Sequence, residues 1–375
     1  MFYRKPFIPR ALTALLILLP LTACFNTGYY LRTDILLSLG QEPIDIIAVD
    51  LNRDGVTDLV TANRSTNNIT VLLGRGGGRF EASANFPAGG ENVSALAWGD
   101  FNRDENPDVV VCLYNGAAVS LFIGNGVGGF ASRQSFRTGN GPHSVVVADY
   151  NGDNVSDVAV ANDAGDTVSV LLGNGNGTLA AQREYPVGGA NPHAIRAGDL
   201  NGDNRLDLAV ANYESENVTV LLNQGGGLFQ RTGSYRAGEN PHGIFIGDLD
   251  GDGLLDVVTS NQGTNDVSFL AGQGDGTLAT GAPFAVGEVP PNVIGGDYNR
   301  DGRMDLATTN FSSNAVYLLV QYSPRRFGLA NIIPVGRGPS GLVSGDFNGD
   351  GLPDFAVTNY QENSVSILIR RAPLP

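Results

Sequence analysis

An acidic nonapeptide, Asp-x-[Asn/Asp]-x-Asp-x-x-x-Asp, recurs seven times at intervals of 49 or 50 residues, and nothing else in the chain constrains its fold as strongly. The copies begin at Asp50, Asp100, Asp149, Asp199, Asp248, Asp297 and Asp346. A period this regular means one supersecondary unit packed against copies of itself, because such a unit cannot bury its apolar face alone. It excludes a multidomain reading of the 375 residues.

Each unit reads as four short strands. In the third, residues 144–148 are a first apolar strand, 149–157 the acidic loop, and 158–161 a second strand. A turn at 162–166 leads to a third strand at 168–172, and a glycine-rich turn at 173–177 to a fourth ending near Val187. The 51 glycines suit many tight turns, and no helical period is sustained after residue 23. Short β-branched strands separated by turn residues make an antiparallel meander. Four-stranded meanders repeated radially are the blades of a β-propeller, whereas the rival β-solenoid uses shorter repeats. The expected fold is all-β, a seven-bladed propeller. Gly124, Gly126 and Gly129 match GxGxxG, but Phe130 opens a strand rather than a helix, so they read as a hairpin turn.

The chain ends give the more demanding test. Fourth strands carry large apolar residues six apart: Phe80/Phe86, Phe130/Phe136, Leu179/Tyr185, Phe229/Tyr235, Leu278/Phe284 and Phe327/Ile333. The last unit stops after its third strand, 365–369, while Tyr30 and Leu36 carry the same spacing ahead of the first loop. Residues 28–39 are therefore expected to complete the last blade. That closes the ring and removes an open sheet edge.

The loop ligands are all hard oxygens, which suits Ca²⁺ better than zinc or copper. The candidate sets are Asp50, Asn52, Asp54 and Asp58; Asp100, Asn102, Asp104 and Asp108; Asp149, Asn151, Asp153 and Asp157; and Asp199, Asn201, Asp203 and Asp207. The last three are Asp248, Asp250, Asp252 and Asp256; Asp297, Asn299, Asp301 and Asp305; and Asp346, Asn348, Asp350 and Asp354. An EF-hand is excluded, since that loop ends in Glu at position 12 between helices. Metal-free turns would crowd like charges. The formal charge of −15 argues against nucleic-acid binding, which needs a basic surface. Without the basic residues Arg4, Lys5 and Arg10 it becomes −18, and seven Ca²⁺ ions would reduce that to −4. Position 6 needs a sharp turn and is Gly or Asn everywhere except Glu105, so the 100–108 site is expected to be weakest. The 248–256 site, with an extra carboxylate at Asp250, is expected among the tightest.

These loops resemble the FG-GAP/VCBS repeats of integrin α-subunit propellers and many bacterial surface proteins, over residues 28–375. The resemblance implies calcium at the turn between the first and second strands of each blade, and ligands on the opposite face. It says little about the ligand, since such propellers include adhesion receptors, lectin-like proteins and modules attached to enzymes.

The N-terminus reads as an export signal: a basic start, an apolar run at 11–19 too short for a stop-transfer helix, then Leu21-Thr22-Ala23-Cys24. This is similar to a bacterial lipobox, which makes 1–23 a cleaved signal peptide, Cys24 the lipidated first residue, 24–27 a linker and 28–375 the propeller. The expected location is a bacterial cell envelope. Cys112 falls in a strand and is expected to be a buried free thiol; with Cys24 acylated, no intramolecular disulfide can form.

His143, His193 and His242 occupy one repeat position, six residues before the first loop Asp, where the other units have Ile44, Ser94, Pro291 and Ser340. Either they gather at one channel mouth as a transition-metal or anion site, or His simply starts the strand. No catalytic constellation stands outside the repeat, so the expectation is a monomeric binding or adhesion scaffold for protein or glycan, and not an enzyme. The alternative is a polysaccharide-active enzyme or an accessory lectin-like subunit. Antiparallel order puts the acidic loops and glycine hairpins on one face, towards the membrane. The turns at 64–67, 163–166, 213–216 and 262–265 lie on the other, outward face.

Overall fold

The computed structural model describes residues 29–36 and 40–371. The proposed signal peptide, Cys24 and the 24–27 linker lie outside the described residues. Seven antiparallel sheets follow the seven repeats, six in sequential strand order and the last with the N-terminal strand added beside the final strand of the chain. The third blade runs Pro142–Ala148, Asp157–Asn162, Thr167–Leu171 and Arg183–Pro186, close to the strands read from sequence. The only helical segments among the described residues are single 3-10 turns at Tyr114–Gly116 and Asp163–Gly165.

Ring closure is as expected. The strand Tyr29–Leu36 pairs antiparallel with Ser364–Arg371, from Tyr29 opposite Arg371 to Leu36 opposite Ser364. Tyr30 packs on Phe355 of the same blade, with ring centroids 5.6 Å apart. The fifth blade departs from the pattern: its fourth strand splits into Leu278–Thr280 and Phe284–Ala285. Pro283 interrupts it, having no N–H to donate to the ladder.

The core sits between blades. Among the described residues, seven apolar clusters each combine side chains of two adjacent blades, and the cluster joining Ile46, Leu59, Leu72 and Phe80 to Phe347 and Ile367 unites the first and last. Second strands such as Asp58–Asn63 and Asp157–Asn162 are buried at all six positions, because blades cover both of their faces. Fourth-strand aromatics contribute to these seams: Phe86 meets Phe130 edge-on at 5.0 Å, and Phe284 meets Phe327 at 5.3 Å. Cys112 lies buried and unpaired in the second strand of its blade, Asp108–Leu113. The three-glycine segment is a hairpin, closed by Asn125 N–H donating to the Gly129 carbonyl at 3.0 Å.

Candidate metal loops and the axial cavity

Each acidic loop folds around its first carboxylate. Asp149 Oδ1 accepts from Gly152 N (2.7 Å) and Asp153 N (3.2 Å), while Oδ2 accepts from Asn154 N (2.7 Å). Bringing three successive amides onto one carboxylate requires left-handed backbone at position 6, as the sequence implied. It also requires it at position 4, where φ is positive in all seven loops, three times at an arginine: Arg53, Arg103 and Arg300. Sequence reading missed this second position, although Gly occupies it in the other four.

Oxygens from positions 1 and 3 converge on the amide of position 5. Asp54 N meets Asp50 Oδ1 at 3.2 Å and Asn52 Oδ1 at 3.0 Å, and Asp350 N meets Asp346 Oδ1 at 3.1 Å and Asn348 Oδ1 at 2.8 Å. The position-3 amide group turns its Nδ2 to the position-5 carboxylate, as in Asn151 to Asp153 at 3.0 Å.

Position 9 does a different job. Asp157 is fully buried, and its two oxygens accept from Tyr150 N (2.9 Å) and Gly173 N (2.7 Å), tying the loop to the end of the third strand. The same pair of backbone bonds recurs at Asp58, Asp108, Asp207, Asp256, Asp305 and Asp354. Burial, reinforced by nearby loop carboxylates (positions 1 and 5, but Asp250 and Asp252 at positions 3 and 5 for Asp256), pushes Asp108, Asp157, Asp207, Asp256, Asp305 and Asp354 up to about 6, and Asp58 upward as well. A carboxylate offers about four lone-pair sites, so two backbone donors leave room for a cation. Convergent hard oxygens beside mutually repelling carboxylates are the donor chemistry that a hard divalent cation fits.

The loops differ in ways that bear on their ranking. Glu105 takes position 6 with φ 64° and pairs with Arg53 across the blade boundary at 2.9 Å. A left-handed Glu carries a cost of about 1 kcal/mol that Gly avoids. Glu105→Gly is therefore expected to stabilise the protein by about that amount in urea unfolding; a destabilised variant would show that the Arg53 pair outweighs the strain. In the fifth loop, the extra carboxylate of Asp250 is held by Arg325 from the next blade's hairpin, whose guanidinium also lies 3.7 Å from Asp252. Arg325 thus offsets the charge on which that loop's ranking rested. Calorimetry on Arg325→Ala is expected to show one cation site tightened severalfold, and an unchanged isotherm would exclude that competition.

Glycine hairpins brace the loops into a ring. Gly177 N donates to the Phe101 carbonyl of the preceding blade's loop (2.9 Å), and Gly78 N to the Phe347 carbonyl (2.9 Å) across the closure.

First strands line an axial cavity of about 510 Å³. Its wall holds two charged groups that sequence reading passed over. Asp45 stands in a column otherwise Ala95, Ser144, Ala194, Gly243, Asn292 and Gly341, and Arg196 in a column otherwise Ile47, Ala97, Val146, Phe245, Ile294 and Val343. Those breaks in the columns were the available signal. Asp45 accepts from Ile46 N (2.9 Å) and Leu96 N (3.0 Å); burial still raises its pKa, against the pull of those bonds and of Arg196. Burial lowers Arg196 in turn.

At the mouth opposite the acidic loops the three histidines meet. The rings of His143 and His193 lie 3.6 Å apart, and those of His193 and His242 4.1 Å apart. His143 Nδ1 bonds the His193 carbonyl (2.9 Å) and His242 Nδ1 the Pro291 carbonyl (2.8 Å). Burial, then repulsion from a neighbouring imidazole, depresses His143 to about 3; burial takes His242 to about 4 and His193 well below its ordinary value. All three are neutral at pH 7. Asp163, on the outward turn, stands 4.0 Å from His193 Nε2 and accepts from the Tyr114 hydroxyl at 3.3 Å. The turn asparagines are otherwise structural: Asn63, Asn162, Asn212, Asn261, Asn310 and Asn359 are buried and pin their hairpins, while Leu113 fills that place in the second blade.

FG-GAP-like repeats match at residues 50–111, 100–160, 149–210, 199–259, 248–308 and 297–357. No curated protein matches the chain. Among solved structures, virginiamycin B lyase from Staphylococcus aureus superposes with a TM-score of 0.64 at 13% identity, covering 91% of this chain and 100% of the lyase. A putative 6-phosphogluconolactonase from Bacteroides uniformis gives 0.63 at 17%, covering 80% and 88%. An Agrocybe aegerita lectin that recognises non-reducing terminal N-acetylglucosamine gives 0.58 at 18%, covering 92% and 96%. At these identities the likeness shows the fold alone. It nevertheless corrects the expectation that the chain is not an enzyme, because a lyase and a putative lactonase use the same architecture. The physical reason is that a propeller assembles its axial groups from separate blades, so no contiguous motif need announce them.

Proposed function

This chain belongs to the FG-GAP-like repeat family, and from that premise we propose that it is a calcium-stabilised propeller scaffold binding a protein or glycan on the face opposite the acidic loops. In this reading each loop holds Ca²⁺ through positions 1, 3, 5 and 9, as with Asp149, Asn151, Asp153 and Asp157. The ion supplies only charge neutralisation and rigidity. The chain's own residues orient the oxygens and tie the loops to the sheets.

The observation that carries the reading is the contrast between the two faces. One is a repeated, hairpin-braced ring of acidic loops; the other offers turns of differing composition, including Arg64, Asp163, Tyr213 and Gln262, with Asp163 and Tyr213 against His193 of the cavity wall. Repetition serves geometry, and variation serves recognition. Export as a lipoprotein through Cys24, with the acidic face towards the membrane of a bacterial envelope, completes the proposal.

The test is a screen of matrix proteins and glycans against the protein in calcium or chelator, repeated with Tyr213→Ala and with a surface change among the acidic-face hairpins, Val127→Ser. Binding lost in Tyr213→Ala and kept in Val127→Ser supports the reading; the reverse pattern sinks it.

A second reading, chemistry on a polysaccharide, is favoured by Asp45 and Arg196. A carboxyl whose pKa is raised by burial in a cavity wall is the environment of a general acid, and Arg196 puts a cation in the same wall. Turnover of a glycan abolished by Asp45→Asn with ligand binding intact would select it.

A further inference from the structure

We propose that His143, His193 and Asp163 form a site for a divalent transition metal of the zinc class, at the outward mouth of the axial cavity. One ring nitrogen from each histidine and one carboxylate oxygen of Asp163 lie within 4.8 Å of one another. Two imidazoles and a carboxylate are a donor set for zinc, cobalt or nickel rather than for calcium. This site goes beyond the scaffold reading and uses none of the acidic-loop residues.

Two features suit these rings to an ion. His193 Nδ1 has no hydrogen-bond partner, so stacking rather than a hydrogen bond at Nδ1 holds that ring, with its Nε2 turned to Asp163 at 4.0 Å. His143, in contrast, has its Nδ1 on the His193 backbone carbonyl. That bond fixes the Nδ1–H tautomer and leaves Nε2 with its lone pair, the outer support usual for a metal-binding histidine. The Tyr114 hydroxyl supports Asp163 in the same way. Ligands 2.0–2.1 Å from a tetrahedral ion stand roughly 3.4 Å apart. Closing the 4.0 Å gap between His193 Nε2 and Asp163 therefore takes only a small side-chain rotation. The fourth position remains for water, for His242 after rotation, or for a donor group of a bound ligand.

Arg64 opposes the cation, since its charge reaches all three histidines and Asp163. Its Nε is already engaged by Asn92 Oδ1, and Asp163 and Glu214 supply countercharge on the same side. Two ring nitrogens and a carboxylate oxygen within reach of one another are donors to a metal, and the carboxylate repels an anion.

Cobalt titration of the full chain tests this, in excess Ca²⁺ to occupy the acidic loops. The expected result is one equivalent of bound Co²⁺ with the visible absorption of a nitrogen-coordinated, tetrahedral ion, displaced by Zn²⁺. His193→Asn is expected to lower that affinity at least 100-fold and Asp163→Asn at least 10-fold, with unchanged melting in calcium. Because His193 stacks between its neighbours and its variant can misfold, Asp163→Asn, on an outward turn, is the independent control. Failure of the wild type to take up this equivalent overturns the proposal, as does equal affinity in Asp163→Asn and wild type. Binding of inorganic phosphate that is lost with Arg64→Ala, in place of cobalt, would make the mouth an anion site and also overturn it.

Discussion

Removing calcium is expected to lower the melting temperature by more than about 10 °C, measured by circular dichroism with calcium or with a calcium-selective chelator. A ligand at 100 times its dissociation constant stabilises the folded state by about 2.7 kcal/mol per site. Three well-occupied loops would thus contribute about 8 kcal/mol, and in a domain of this size each kcal/mol moves the midpoint by roughly 2 °C. The effect is large because the loops are not independent ornaments. The second, third, fourth and seventh are each braced by the next blade's hairpin, as Gly177 braces the 100–108 loop through the Phe101 carbonyl. Loosening one loop therefore loosens a seam of the core. Equal melting in calcium and in chelator would remove calcium from the proposal.

The second large effect separates ligand from anchor within one loop. Asp157→Ala is expected to destabilise the protein by about 3 kcal/mol or more even in chelator, because two buried amides, Tyr150 N and Gly173 N, lose their acceptors. Asp149→Ala removes bonds from exposed loop amides that water can replace, so it should matter little in chelator and chiefly abolish calcium-dependent stabilisation. Asp157→Asn should fall between, since it keeps one acceptor. Urea unfolding of the three variants with and without calcium makes the comparison. Equal effects of Asp149→Ala and Asp157→Ala in chelator would show that position 9 has no anchoring role of its own.

These variants also mark how far the loops were legible. Seven copies of the nonapeptide named every acidic residue in them, and Gly or Asn at position 6 revealed the left-handed backbone there. The pattern did not distinguish Asp149 from Asp157, since sequence registers a carboxylate and not its partners. Nor did it reveal Arg325 over Asp250, a pairing made 75 residues away by a neighbouring blade. The left-handed position 4 was hidden by Arg53, Arg103 and Arg300, whose backbone the loop's hydrogen bonds hold against their own preference.

By itself, the sequence determined the architecture: the blade count, the strand order and the closure of the last blade by Tyr29–Leu36. All three follow from period and apolar spacing, which are properties of a chain read along its length. Only the tertiary structure decided what happens at the axis. The blades bring together residues about 50 or more positions apart, so a lone Asp45 in one strand meets the field of Arg196 from another. The three histidines, each unremarkable in its own strand, become one stacked and neutral group beside Asp163. Strand-local patterns record which face a side chain takes. They carry no record of what seven such faces enclose once the ring is shut.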